Sequence, residues 1–137
     1  MVAIDENLAF APATELKELI RNKTVSPVEI TKLYLDRIDR LDNQLNSYLT
    51  VTPELAIESA QKAEKALFSG DKIGPLHGIP ISLKDLQMTK GIRTTGGSLA
   101  YKERIPVADC AVVEKLLSAG AIILGKTNTP EFGLLGA

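Results

Sequence analysis

The run Ala121-Ile122-Ile123-Leu124 restricts the fold of this chain more than any other stretch, because it is short, wholly apolar and placed directly behind Gly120. Four residues suit a strand rather than a helix, and a strand apolar at every position belongs to a sheet covered on both faces, commonly a parallel one. A parallel neighbour must be reached through a crossover. The sequence provides one. Residues 79–83 read as an earlier strand, rich in isoleucine and bounded by Gly and Pro, and residues 89–107 as a long loop rich in Gly and Thr. Asp109 then reads as the N-cap of a helix that carries Val112, Val113, Leu116 and Leu117 and stops at Gly120. Strand, loop, helix, strand is a βαβ unit, so the expected fold class is α/β, with functional loops at strand ends.

The first half reads as helices. Thr14 precedes Glu15-Leu16-Lys17-Glu18-Leu19-Ile20, a short element with helical apolar spacing that Asn22 can close. Ser26-Pro27-Val28-Glu29 is a stronger start: Ser26 as N-cap, Pro27 in the first turn and Glu29 completing a capping box. Ile30, Leu33, Tyr34, Ile38 and Leu41 follow as one apolar stripe. Thr52-Pro53-Glu54 repeats the start signal for a helix running through Leu55, Ala56, Ala60, Ala63, Ala66 and Leu67 to a Gly70 stop.

Composition excludes several function classes. Among 137 residues, 16 Lys and Arg oppose 17 Asp and Glu, and the aromatics are three Tyr and three Phe, so there is neither a basic block nor a stacking platform for nucleic acid. Residues 1–7 lack both a basic start and an apolar core, and no apolar run is long enough to span a bilayer; no secretory signal, no membrane association and a cytoplasmic location are expected. The single cysteine, Cys110, rules out an internal disulfide and a multi-cysteine metal site, and reads as a packed helix residue.

The candidate for chemistry is Lys84, which ends the apolar run Gly78-Ile79-Pro80-Ile81-Ser82-Leu83. Burial disfavours an ammonium and lowers a lysine from about 10.4 toward a range where it serves as a base. The plain alternative is a lysine whose stem packs on the strand while its head reaches water. Gly120-Ala121-Ile122-Ile123-Leu124-Gly125-Lys126-Thr127 fits the string of a phosphate-binding loop, which would make a nucleotide-binding module. Its context is wrong: the residues between the glycines are the strand itself, and Pro130 blocks a helix running straight on. His77, the only histidine, is expected to shape the turn before the strand, and Ser98 to serve turn chemistry beside Gly97. Asp85 reads as an acid or base, or as the holder of a turn or salt bridge beside Lys84. Glu131 reads likewise, or as a first-turn residue of a helix capped by Thr129 and started by Pro130.

Four stretches in order resemble the amino-terminal part of the amidase signature family. They are Gly74-Pro75-Leu76-His77-Gly78-Ile79-Pro80-Ile81-Ser82-Leu83-Lys84-Asp85, then Thr89-Lys90-Gly91-Ile92-Arg93-Thr94-Thr95-Gly96-Gly97-Ser98, then residues 109–120, then Gly125-Lys126-Thr127-Asn128-Thr129-Pro130-Glu131-Phe132-Gly133. The resemblance covers nearly everything from Gly74 onward, and it implies amino-terminal helices followed by the start of an α/β/α core with a mixed, largely parallel sheet. It divides the chain into a helical region, 1–70, and the start of the core, 71–137, within a single amidase domain.

The resemblance also implies the chemistry. The family cleaves amide bonds with a nucleophilic serine, a second serine in a cis peptide and a lysine that corresponds to Lys84. The neutral amine takes the proton of the bridging serine, which takes that of the nucleophile, and the relay reverses to protonate the leaving amine. Bringing Lys84 from about 10.4 to near 7 requires about 4 to 5 kcal/mol of bias toward the neutral form, at 1.36 kcal/mol per unit. Both serines belong to a Gly- and Ser-rich segment beyond the Glu131-Phe132 motif, so this chain is expected to hold the base without the nucleophile and to be inactive alone. A small-molecule amide is the expected substrate, with no cofactor and no metal. Self-association through an apolar sheet edge, as in a homodimer, stays open. Lys84-Asp85-Leu86 and Thr129-Pro130-Glu131 look more like general amidases than like the transamidase subunit that makes glutaminyl-tRNA, whose usual forms have Asn after Lys-Asp and Met-Asp before Glu-Phe.

Overall fold

The computed structural model describes residues 6–134; residues 1–5, most of the stretch read for a secretory signal, and 135–137, the end of the resemblance, lie outside it. Helix α1 is Ala13–Arg21, α2 is Pro27–Leu45, strand β1 is Tyr48–Val51, α3 is Pro53–Ser69, β2 is Pro80–Lys84, α4 is Ala111–Ser118 and β3 is Ile122–Thr127. Short 3-10 turns cover Glu6–Phe10, Leu99–Tyr101 and Glu131–Gly133.

The start of α2 forms as its sequence dictates. Ser26 Oγ accepts the Glu29 amide at 3.1 Å, and Glu29 Oε2 accepts the Ser26 amide at 2.8 Å, a complete capping box that satisfies two otherwise unpaired donors. Asn46 and Gly70 close α2 and α3 in the left-handed conformation. Alanines then decide how closely α3 approaches the sheet. Ala56, Ala60 and Ala63 pack on Ile122 and Leu124 of β3, with Val28, Tyr34, Leu35 and Ile38 of α2 around them. A second cluster joins Leu16 and Ile20 of α1 to Ile30 and Leu33 of α2 and to Ile79 ahead of β2. The small side chains of α3 permit a short helix-to-sheet distance, so β3 is buried where the chain is most apolar.

The sheet order is β1-β3-β2, with β3 central. β2 and β3 run parallel with α4 in the connection between them, so the βαβ unit is formed; β1 joins antiparallel and makes the sheet mixed. Together with the helices, this is the α/β class that the sequence implied.

Five local expectations are corrected. Strand β1 lies in the stretch read as helical, and β3 continues through Gly125, Lys126 and Thr127. Cys110, not Asp109, occupies the N-cap of α4, because the Asp109 carboxylate accepts the Lys90 amide at 2.6 Å and is committed to the preceding loop. Thr52 stands at the N-cap of α3 without capping it; its hydroxyl donates to the Ile123 carbonyl at 3.4 Å. The expected helix after Pro130 is only the 3-10 turn Glu131–Gly133, broken by Phe132 at φ 52°.

Among the described residues no helix is long and apolar enough to cross a membrane, and no group of His, Cys, Asp and Glu could hold a metal ion.

Gly125 fixes the junction of the three strands. It sits opposite both Ser82 and Val51, and a Cβ there would stand 2.2 Å from the Thr50 carbonyl oxygen, far inside contact distance. Gly125→Ala should therefore push β1 away from β3 and lower stability by about 2 kcal/mol or more, measured as a shift of the urea unfolding midpoint.

Candidate functional site

Lys84 closes β2 opposite Thr127, and its backbone is fixed on both sides: its carbonyl accepts the Gln87 amide at 2.9 Å, and the next amide, of Asp85, donates to the Thr127 carbonyl at 3.0 Å. The side chain itself is exposed. Of the two readings of Lys84, the surface geometry is the one present here. Ser82, two positions earlier and on the same face, is hydrogen-bonded to the Tyr48 hydroxyl.

Asp85 is fully buried and holds a turn rather than a salt bridge to Lys84. Its Oδ2 accepts the Thr95 amide at 2.8 Å and the Thr95 hydroxyl at 2.5 Å, while Oδ1 has no hydrogen-bond partner. The Asp85 carbonyl accepts the Gly96 amide at 3.0 Å, so the Gly- and Thr-rich loop is tied to the residue immediately after Lys84.

The lysine that is buried is Lys126. It is fully inaccessible, and its ammonium donates to the Gln87 carbonyl, to Thr94 Oγ1 at 2.9 Å and to Thr89 Oγ1 at 3.0 Å. Burial pushes Lys126 down from 10.5 to about 8; the charges of Asp85 and Cys110 oppose that shift, and Arg104 adds to it. A phosphate-loop lysine has to reach a ligand from a flexible turn. Lys126 instead sits inside a strand and spends its donors on protein oxygens, so the nucleotide-binding module is set aside on geometry. The sequence reading absorbed Lys126 into that false motif. A charged residue within an otherwise buried strand was the signal that could have singled it out.

The remaining candidates are structural. Ser98 is buried and donates its hydroxyl to Glu131 Oε1 at 2.6 Å, which joins the loop to the 3-10 turn. Gly97 and Phe132 make the same junction: a Cβ on Gly97 would lie 2.7 Å from the Thr129 carbonyl oxygen, and the Phe132 amide donates to the Gly96 carbonyl at 2.7 Å. His77 does shape the turn before β2, with Nε2 2.8 Å from the Ala63 carbonyl. Cys110 is half-buried at the start of α4, its thiol 3.4 Å from Gln87 Oε1. A groove of about 340 Å³ between α2 and the sheet includes Tyr34, Tyr48 and Ser82 in its walls but not Lys84.

The family model described as Amidase matches residues 29–137. The chain belongs to the Amidase family. A curated relative, the A subunit of the glutamyl-tRNA(Gln) amidotransferase from Geobacter sp. (strain M21), is 48% identical over 120 residues, which are 88% of this chain and 24% of the relative. Among solved structures, native peptide amidase from Stenotrophomonas maltophilia aligns with a TM-score of 0.87 at 32% identity, over 93% of this chain and 26% of that one. A bacterial aryl acylamidase, described as belonging to the amidase signature enzymes, aligns with a TM-score of 0.84 at 29% identity, over 89% and 26%. The chain thus spans about a quarter of the length of the curated relatives it matches.

Membership in the Amidase family accounts for the order of the motifs, and the structure shows their physical connection. Lys84-Asp85, the Thr- and Gly-rich loop and the Lys126 segment meet through the Asp85 and Lys126 side chains. Lys126 also makes a testable contribution to stability. Above about pH 8 the folded chain releases its proton, whereas the unfolded chain keeps it until about 10.5, so the unfolded state binds more protons and stability must rise with pH in between. From pH 8 to 9.5 the urea unfolding free energy should increase by about 1.5 kcal/mol, and Lys126→Met should flatten that slope.

Proposed function

We propose that this chain is the lysine-bearing portion of a longer enzyme that cleaves amide carbon–nitrogen bonds, with Lys84 as the relay base and 1–137 lying within one amidase domain. The observation that carries this reading is the setting of Lys84. It stands at the carboxyl end of a parallel strand, its backbone hydrogen-bonded on both sides, its head toward open space and its neighbours Leu83 and Asp85 buried. That is a fixed group presented to something not supplied by the described residues.

In this reading the two serines and the oxyanion-binding amides come from the rest of the enzyme, which also covers Lys84 and removes its water. Desolvation then favours the neutral amine, which accepts the proton of the bridging serine and returns it toward the leaving nitrogen. A small-molecule amide is the substrate, no cofactor takes part, and the enzyme works in the cytoplasm. Residues 1–137 alone do not hydrolyse amides.

A second reading, the A subunit of a glutamyl-tRNA(Gln) amidotransferase, is favoured by the names and identities of the curated relatives, which are 40% to 48% identical. Leu86 and the Thr129-Pro130 pair had argued against it. A Cβ on Gly133 would lie 2.6 Å from Leu86 Cδ1, so Leu86 packs directly beneath the turn that follows Pro130.

In the full-length protein, Lys84→Ala should lower kcat by about a thousandfold or more with an unchanged circular dichroism spectrum, the scale expected for losing an essential proton acceptor. Near-normal turnover would reject the assignment. Glutamine-dependent ammonia release that appears only with a co-purifying tRNA-binding partner would select the transamidase reading over a free-standing amidase.

A further inference from the structure

Lys84 and Lys126 lie on opposite faces of the sheet. In the parallel ladder Leu83 pairs with Lys126 and Lys84 with Thr127, and successive side chains alternate faces. Asp85, in the turn that follows β2, is joined to Lys126 through the loop: it holds Thr95, and Lys126 holds the adjacent Thr94. Both Asp85 and Lys126 are fully buried.

Below about pH 8 the hydrogen bonds around Lys126 match its ammonium form. The Thr89 hydroxyl already donates to the Gln87 carbonyl at 2.9 Å, and the Thr94 hydroxyl to the Ile92 carbonyl at 3.0 Å. Each has only lone pairs left for Lys126, and its third partner, the Gln87 carbonyl, can only accept. Three acceptors require three N–H donors, which only the ammonium has. Asp85 is on the acceptor side: Oδ2 receives two donors, while Oδ1 has no partner. The groups that bear on the Lys126 charge are Asp85 and Cys110 in its favour and Arg104 against it.

The contacts of this pair converge on one segment. Lys126 holds residues 87, 89 and 94, and Asp85 holds Thr95, whose oxygen in turn accepts the Gly97 amide at 3.0 Å. All belong to the turn and loop that begin at the carbonyl of Lys84.

We infer that Asp85 and Lys126 form a buried, charge-matched pair that positions Lys84 and keeps the electrostatic field at its amine near neutral. This rests on the reading of Lys84 as the relay base. Neither residue touches substrate; both are positioning residues. Their opposite charges cancel at Lys84, so removing one leaves the other acting on it. A lone buried positive charge favours the neutral amine of Lys84, and a lone negative charge favours its ammonium.

The test is the pH profile of kcat/KM in the full-length protein, whose acidic limb reports deprotonation of the essential base. Asp85→Asn keeps an oxygen acceptor for Thr95 and leaves Lys126 unbalanced, so the limb should move down by about one pH unit, the scale of a unit charge roughly 10 Å away at an effective dielectric constant of about 20. Lys126→Met should move it up by about as much, and the double variant should return it close to its starting position. A merely structural role would reduce activity in each variant without shifts of opposite sign. A limb that stays in place or rises in Asp85→Asn, or that fails to return in the double variant, overturns the pair. If Lys126→Met does not fold, Asp85→Asn and the double variant still decide. Full activity in Lys84→Ala would instead sink the base assignment, so the two failures remain distinct.

Discussion

The fold around Lys84 depends on one buried ammonium. Residues 85–98 form no strand and no α-helix, yet Thr89, Thr94, Thr95 and Ser98 within them are buried. Buried polar groups without secondary structure need partners of their own, since each one left unpaired costs about 1 to 3 kcal/mol. Lys126 reaches from β3 and supplies three hydrogen bonds to that segment, while Asp85 supplies acceptors from its own beginning. An ammonium without those acceptors would be expelled from the interior, and the loop without the ammonium would expose its carbonyls. The two are stable only together, which ties β3, the loop and the end of β2 into one unit.

That unit explains why the motifs were easier to recognise as strings than to interpret as structure. The βαβ order was legible because apolar runs, a glycine stop and an amphipathic helix each act locally. The capping box at Ser26 was legible for the same reason. β1 was not: Tyr48-Leu49-Thr50-Val51 is only four residues long and gains its partners from β3, 74 or more positions away. Asp109 and Thr52 were assigned as caps from residue type, but each found a tertiary acceptor or donor instead. The helix expected after Pro130 lost to the docking of Phe132 on Gly96 and of Glu131 on Ser98, interactions with a segment more than thirty residues earlier. In each case a long-range hydrogen bond replaced a local rule.

The site was legible to the same depth. Lys84 could be singled out from its position and from the family resemblance, but its surroundings could not. Asp85 was read as an acid or base, or as the holder of a turn or a salt bridge beside Lys84; the turn is what forms, on the Thr95 amide and hydroxyl. Lys126 was hidden by a motif whose glycines do other work: Gly120 admits the backbone of His77 beside it, and Gly125 lets β1 approach β3. A string match counts residues along the chain and is blind to which face they occupy.

The two lysines therefore divide what a single buried lysine cannot do at once. Lys126 has lost its water but is surrounded by acceptors that use all three of its protons, so below about pH 8 it has no lone pair to offer a substrate or a serine. Its charge is useful only for holding oxygens in place. Lys84 has no acceptor fixed on it by the described residues and keeps its freedom to exchange a proton, but it is still hydrated. In the proposed function, proton transfer at Lys84 requires a cover that excludes water without bringing three acceptors of its own. A serine hydroxyl, which can donate to the amine rather than accept from it, meets that requirement, whereas a carbonyl or carboxylate in the same place would fix the ammonium and stop the relay.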